Sequence, residues 1–111
     1  MKGLTELLKG ALEGIVLQRI SMGETYGYEI TQYLVDLGFE DIVKGTVGTV
    51  LLRLEKKQLL DVERRKSTVG PPRKFYTVNA AGAEYLATFW QKWDYLATTI
   101  AKLQTGTEEG D

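Results

Sequence analysis

The sequence predicts a mainly α-helical domain with one small β-hairpin, an α+β fold, and three observations predict it. Apolar residues recur at helical spacing along four stretches. Between Leu60 and Val78 the period changes to that of a strand on both sides of a turn containing Gly70, Pro71 and Pro72. Near the end, Leu86, Phe89, Trp93, Leu96, Ile100 and Leu103 follow at steps of three and four, the repeat of a seam that packs against another helix.

With 111 residues, 43% hydrophobic and 26% charged, the chain has room for one domain with a modest core and none for a second independent one. No apolar run approaches the roughly 18 residues of a membrane span, and the start, MKGLTELLKG, has no signal-peptide core. Cysteine is absent, which excludes disulfides and thiolate metal sites and fits a reducing, cytoplasmic setting; histidine is absent too. That double absence removes the commonest general base, the usual catalytic thiol and most transition-metal ligands. The remaining carboxylates show no paired spacing, and Gly45 and Gly48 do not form a phosphate loop after a strand. No enzyme activity, catalytic residue, cofactor or metal is expected.

Taken in order, Leu4, Leu7, Leu8, Leu12, Ile15, Val16 and Ile20 lie on one stripe and predict a first helix over 4–22. Gly10 and Gly14 interrupt it, and either let another backbone approach closely or mark a bend near residue 10. A second helix follows Thr25, with Tyr26, Ile30, Tyr33, Leu34 and Leu37 as its apolar side and Gly38 at its close. Tyr26 and Tyr28 are expected to pack between helices with their hydroxyls at the surface. The connection 39–44 has room for an extended piece at Ile42 and Val43.

The third helix, over 46–58, opens on Thr46 as a cap and buries Val47, Val50, Leu51 and Leu54. Its outward side carries Gly48, Thr49, Leu52, Arg53 and Lys56, mostly the small, hydroxyl and cationic groups suited to a phosphate-lined groove. A hairpin over 60–78 follows. In its first arm, to Lys66, Leu60, Val62 and Arg64 alternate with Asp61, Glu63 and Arg65; Phe75 to Val78 form the second. Arg64, Arg65, Lys66, Arg73 and Lys74 gather five cations at its tip.

A helix followed by a basic hairpin is the order of a winged helix-turn-helix, in which the helix enters the major groove and the wing meets the backbone beside it. A charged hairpin is most often simply a solvated one, and the charge distribution shifts the balance towards a nucleic-acid contact. From Lys44 to Lys74 nine Lys or Arg stand against three acids, a balance of +6, in a chain whose net charge is −1. This basic block inside an acidic remainder localises attraction for a polyanion.

Asn79 is a good N-cap for a last helix, expected to run from Ala80 to about Leu103 and ahead of a disordered tail. Its seam exceeds what a small core can cover, so homodimerisation is expected, with part of the first stripe also facing the second subunit. The domains expected are thus a winged helix-turn-helix over 1–78, a dimerisation helix over 79–104 and a tail over 105–111.

Over nearly its whole length the chain resembles the PadR family of bacterial transcriptional regulators. The resemblance rests on Gly27, Tyr28, Glu29 and Ile30 in YGYEI, on Gly45, Thr46, Leu51, Arg53, Leu54 and Glu55, on Gly70, Pro71, Pro72, Arg73, Lys74 and Tyr76, and on Gly82 with Leu86. A single C-terminal helix makes it similar to the short subfamily. The resemblance implies a dimeric repressor on an inverted repeat in its own or a neighbouring promoter, joined through its first and last helices. The interface would hold Leu4 and Leu8 beside the seam from Leu86 to Leu103. It also adds Tyr28 to the DNA-facing residues. Some short members bind flat aromatic compounds between the C-terminal helices, often against a tryptophan; Trp93 falls where that tryptophan would be, with Phe89 and Trp90 nearby, although aromatic residues at helical spacing usually make an ordinary core. The chain departs from the family at Gly48 and Thr49, where a tyrosine and a proline are usual, and at Leu52, often basic. Two rival readings are a dimeric interaction module that has lost specific DNA reading and a ligand-sequestering protein.

Overall fold

The computed structural model describes residues 4–39, 42 and 44–106. Along them run α1 (Thr5–Leu8), α2 (Leu12–Ser21), α3 (Gly27–Asp36), α4 (Lys44–Lys56), β1 (Leu60–Arg65), β2 (Arg73–Val78) and α5 (Ala80–Thr105). The first helix, expected over 4–22 with a bend near residue 10 as one of two readings of its glycines, is two. The chain turns at residues 9–11, so Gly10 marks the break. Gly14 serves the other purpose foreseen for these glycines: a β-carbon there would collide with the ring of Phe89, and its absence lets α2 and α5 close on one another.

α3 buries Ile30 and Leu34. Leu37, expected on that apolar side, lies past the helix end and is 61% exposed, and Gly38 follows in the left-handed region at φ 115°. Ile42 is buried, while Val43, expected beside it, lies outside the described residues. α4 begins at Lys44 rather than Thr46. Thr46 is therefore a half-buried residue of the first turn and not the cap, because Gly45 before it is already in the helix, its carbonyl accepting the Thr49 hydroxyl at 3.0 Å. The helix ends at Lys56, and Gln58 turns the chain towards β1 at φ 59°.

Val47, Val50, Leu51 and Leu54 of α4 meet Val16, Leu17 and Ile20 of α2 and Ile30 and Leu34 of α3 in one core. Leu59, Leu60, Tyr76 and Leu86 complete it from the hairpin side. Each buried aliphatic side chain contributes about 2 kcal/mol by its removal from water. The spacing that predicted these positions is thus also what holds α4 in place.

β1 and β2 pair antiparallel from Leu60 opposite Val78 to Arg65 opposite Arg73, which leaves Lys66 in the tip rather than the strand. The loop before α3 joins this sheet. Thr25 donates its N–H to the Tyr76 carbonyl at 3.2 Å and accepts from the Tyr76 N–H at 2.8 Å. The hairpin is therefore mounted on the α2–α3 loop as well as on the core. Thr25 is fully buried there, and its hydroxyl donates to Glu29 at 2.9 Å.

α5 is capped as expected: the Asn79 side chain accepts from the Gly82 N–H at 2.8 Å. It continues through Gln104 and Thr105, which were expected near or within a disordered tail, and Gly106 closes it in the left-handed region. Residues 107–111 lie outside the described residues. Every residue from Gln91 to Gly106 is exposed, so the second half of α5 projects from the body and draws the molecule out to 63 × 32 × 20 Å. None of the helices among the described residues is long and apolar enough to cross a membrane.

Candidate nucleic-acid interface

Burying one stripe of α4 turns the other outward, and Lys44, Gly45, Gly48, Thr49, Leu52, Arg53 and Lys56 are all exposed. Leu52 is 55% exposed, an apolar side chain in the middle of a polar face. Because the Thr49 hydroxyl donates back to its own helix, its oxygen is left to accept from a partner at an exposed position. At the far end of the helix Glu13 of α2 draws in two cations, with Arg53 Nε at 3.4 Å and Lys57 Nζ at 2.6 Å. Tyr85 of α5 donates to the same carboxylate at 3.3 Å. The Glu13 contact raises the Lys57 pKa above its ordinary value, partial burial opposing it.

The pairing register divides the wing cations between two faces. Arg64 and Lys74 share a face with Leu60, Val62, Tyr76 and Val78, while Arg65 and Arg73 share the other with Asp61, Glu63, Phe75 and Thr77. Lys74 reaches across to Glu55 of α4 at 3.3 Å, tying wing to helix. Arg64 and Lys66 form no ion pair or hydrogen bond with other described residues and stay open to a partner.

Arg65 is engaged on three sides. Its guanidinium donates to Glu24 Oε2 at 2.7 Å and, through Nε and Nη2, to both oxygens of Glu63 at 2.9 and 3.2 Å. It also lies over the Phe75 ring, 4.3 Å from the centroid. The two carboxylates raise its pKa further, and Arg65 in turn holds that of Glu63 low. Phe75 meets the edge of Tyr26 at 5.4 Å, and Arg73 lies over Tyr26 at 4.4 Å. Tyr26 thus packs against the wing rather than between helices, and Tyr28 is exposed at the start of α3. Tyr28, Lys44, Arg73 and Lys74 border one open cleft between helix and wing, about 550 Å³ in volume.

Of the residues expected to face DNA, the structure brings the α4 set and the wing set to neighbouring surfaces and engages Arg53, Arg65 and Lys74 in ion pairs within the chain. Glu24, Tyr26, Phe75 and Lys44 were not anticipated as parts of this surface. Strand alternation could have separated Arg65 from Arg64, but Glu24 lies 41 residues away and left no local signal.

Where α2 meets α5, Phe89 sits against Gly14 and meets Trp90 edge-on at 4.9 Å, and the Trp90 indole N–H donates to Gln18 at 2.8 Å. Leu4, Leu8, Phe89, Trp90 and Trp93 line one apolar cavity of about 370 Å³.

A helix with a polar outer face, packed beside a basic two-stranded wing, defines a winged helix-turn-helix protein that binds DNA. Residues 16–88 match the family described as "Transcriptional regulator PadR-like family". Known structures agree. A PadR-like transcriptional regulator from Bacillus cereus is 38% identical with a TM-score of 0.78, the match covering 89% of this chain and 96% of that one. A transcriptional regulator from Streptococcus is 42% identical with a TM-score of 0.78, covering 89% and 97%. A PadR family regulator from Eggerthella lenta is 30% identical with a TM-score of 0.81, covering 91% and 88%. The chain belongs to the PadR-like family: it is a DNA-binding transcriptional regulator and not an enzyme.

Proposed function

We propose that the protein is a cytoplasmic, homodimeric repressor that binds an inverted repeat in a promoter. The observation that carries this reading is the uncovered seam of α5. Trp93, Leu96, Ile100 and Leu103 are 44%, 50%, 52% and 78% exposed, an apolar stripe left largely open among the described residues, with Trp93 at the edge of the cavity beside Leu4 and Leu8. A stripe of this kind is the surface a second α5 would bury, and a two-fold dimer carries two α4 helices to two half-sites. Thr46, Gly48, Thr49, Leu52, Arg53 and Lys56 address the major groove. Arg64, Lys66 and Arg73 hold phosphates, with Tyr28 beside them. Gly45 and Gly48 support close approach: a β-carbon at either would meet nothing within 4 Å, so the fold itself has no need of glycine there.

Fluorescence anisotropy with a labelled duplex from the protein's own upstream region tests the reading. Two chains per site and an affinity falling steeply with salt are expected; binding no tighter than to a random duplex would move the assignment to an interaction module. Ile100→Asp combined with Leu96→Asp is expected to give monomers by sedimentation. It should weaken operator binding by about a hundredfold or more, because the second half-site is then no longer tethered. A dimer that survives both substitutions would place the interface elsewhere.

The cavity bordered by Phe89, Trp90 and Trp93 supports a second element of the reading, an aromatic effector that releases DNA. Its volume, about 370 Å³, is of the size that small ligands occupy. Quenching of tryptophan fluorescence together with a weakened operator complex is the expected signature, since an effector must favour one arrangement of the dimer over another.

A further inference from the structure

Five cations surround the tip of the wing, yet they are not equivalent. Arg65 shares its face of the hairpin with Asp61 and Glu63, and Glu24 approaches from the loop before α3. A polyanion would meet carboxylates around Arg65, whereas Arg73, opposite it at the tip end of the same face, lies away from them. The guanidinium already has its fork filled by Glu24 and Glu63, and its flat side rests on Phe75. The ladder then continues through the edge of Tyr26 to Arg73, whose guanidinium is stacked and exposed near the tip. Stacking of this kind fixes the plane and direction of an arginine, which an isolated surface side chain lacks.

We propose that Arg65 and Glu24 are positioning residues for DNA binding: together they clamp the wing to the α2–α3 loop, and through Phe75 and Tyr26 they aim Arg73 at the phosphate backbone. Arg65 itself touches no phosphate. The clamp acts where the loop is already joined to the wing by the Thr25 and Tyr76 backbone pair. The hairpin is thus held at its base by main chain and nearer its tip by side chains. This rests on the wing contacting DNA, as set out above.

The test exploits a difference of sign. Glu24→Gln removes a negative charge beside a DNA-binding surface, so simple electrostatics gives tighter binding. A lost clamp gives weaker binding, by about three- to tenfold, the scale of an exposed ion-pair network with good geometry. Arg65→Lys keeps the charge but loses the fork and the stack, and is expected to weaken binding by a similar factor. Arg65→Gln leaves Arg73 able to reach its phosphate but no longer held in place beforehand, so it is expected to weaken binding without changing the slope of log affinity against log salt, whereas Arg64→Gln should reduce that slope by about one. Glu24→Gln added to Arg65→Gln should cost nothing further, since both remove one clamp.

All variants are measured as the full chain, with thermal melting followed in parallel. Tighter binding by Glu24→Gln, or a slope lowered by Arg65→Gln as much as by Arg64→Gln, overturns the clamp while leaving the wing as a DNA contact. If Arg64→Gln and Arg73→Gln leave both affinity and slope unchanged, the wing does not contact DNA and the proposal falls with it.

Discussion

Replacing Gly82 with alanine is expected to lower stability by about 2–3 kcal/mol, the scale of overpacking a tight contact. The reason lies in how α5 begins. The Gly82 N–H donates to the Asn79 side-chain oxygen at 2.8 Å, Asn79 Nδ2 donates to the Gln58 carbonyl at 2.9 Å, and the Asn79 N–H donates to the Leu59 carbonyl at 3.2 Å. The first turn of α5 is thereby stitched to the turn that follows α4. A β-carbon on Gly82 would overlap the Leu59 carbonyl oxygen and come within 2.8 Å of Val78 Cγ1. Backbone cannot swing aside as a side chain can, so α5 must lift and strain all three bonds. Alanine's better helix propensity returns only about 1 kcal/mol. A melting temperature lower by about 10–20 °C is the expected reading in a domain of this size. Gly48→Ala serves as the control, because its β-carbon would meet nothing within 4 Å and stability should rise. An unchanged melting temperature for Gly82→Ala would mean that α5 can slide along the body at no cost.

The largest functional effect is expected from Arg64→Ala combined with Arg73→Ala. Both side chains are exposed on the wing, on opposite faces of the hairpin, so they offer a cation to the phosphates on either side of its tip. Each phosphate neutralised releases condensed counterions, and losing two contacts should lower the salt slope by about two. Affinity near physiological salt should fall about 30- to 100-fold, the scale of two charge-assisted hydrogen bonds to phosphate. The loss should be the same for operator and random duplex, since phosphates carry no sequence information. Thermal stability should hardly change, the side chains being exposed. Thr49→Ala and Arg53→Ala are expected to behave differently and alter which sequences are preferred. An unaltered slope in the double variant would remove the wing from the interface.

Much of this was legible because it rests on short-range rules. The stripe Val47, Val50, Leu51 and Leu54 is core, the hairpin lies where the period changes, Asn79 caps, and the break foreseen near Gly10 is real. What escaped depends on residues distant in sequence. Thr46 is a capping type, but α4 had already begun two residues before it. Leu37 fits the apolar period and yet lies past the helix end, where it is 61% exposed. The basic tip reads as five equal cations until Glu24 and Glu55 are folded against it, and neither acid lies near the residue it holds. Counting charge finds a patch; only tertiary structure says which members are already occupied.

The naked second half of α5 has a consequence for dosage. From Trp93 onward it amounts to about three and a half turns, a length at which an isolated helix in water is marginal, and past Trp93, which borders the cavity beside Leu4 and Leu8, every described residue of it is exposed. In the proposed homodimer, completing that helix and finding a second chain become one event, governed by mass action. Scarce chains would lose the partner, the finished helix and the paired reading heads together. Operator occupancy at low abundance would then climb with about the square of the number of chains in the cell, giving a sharper threshold than a preassembled regulator of equal affinity.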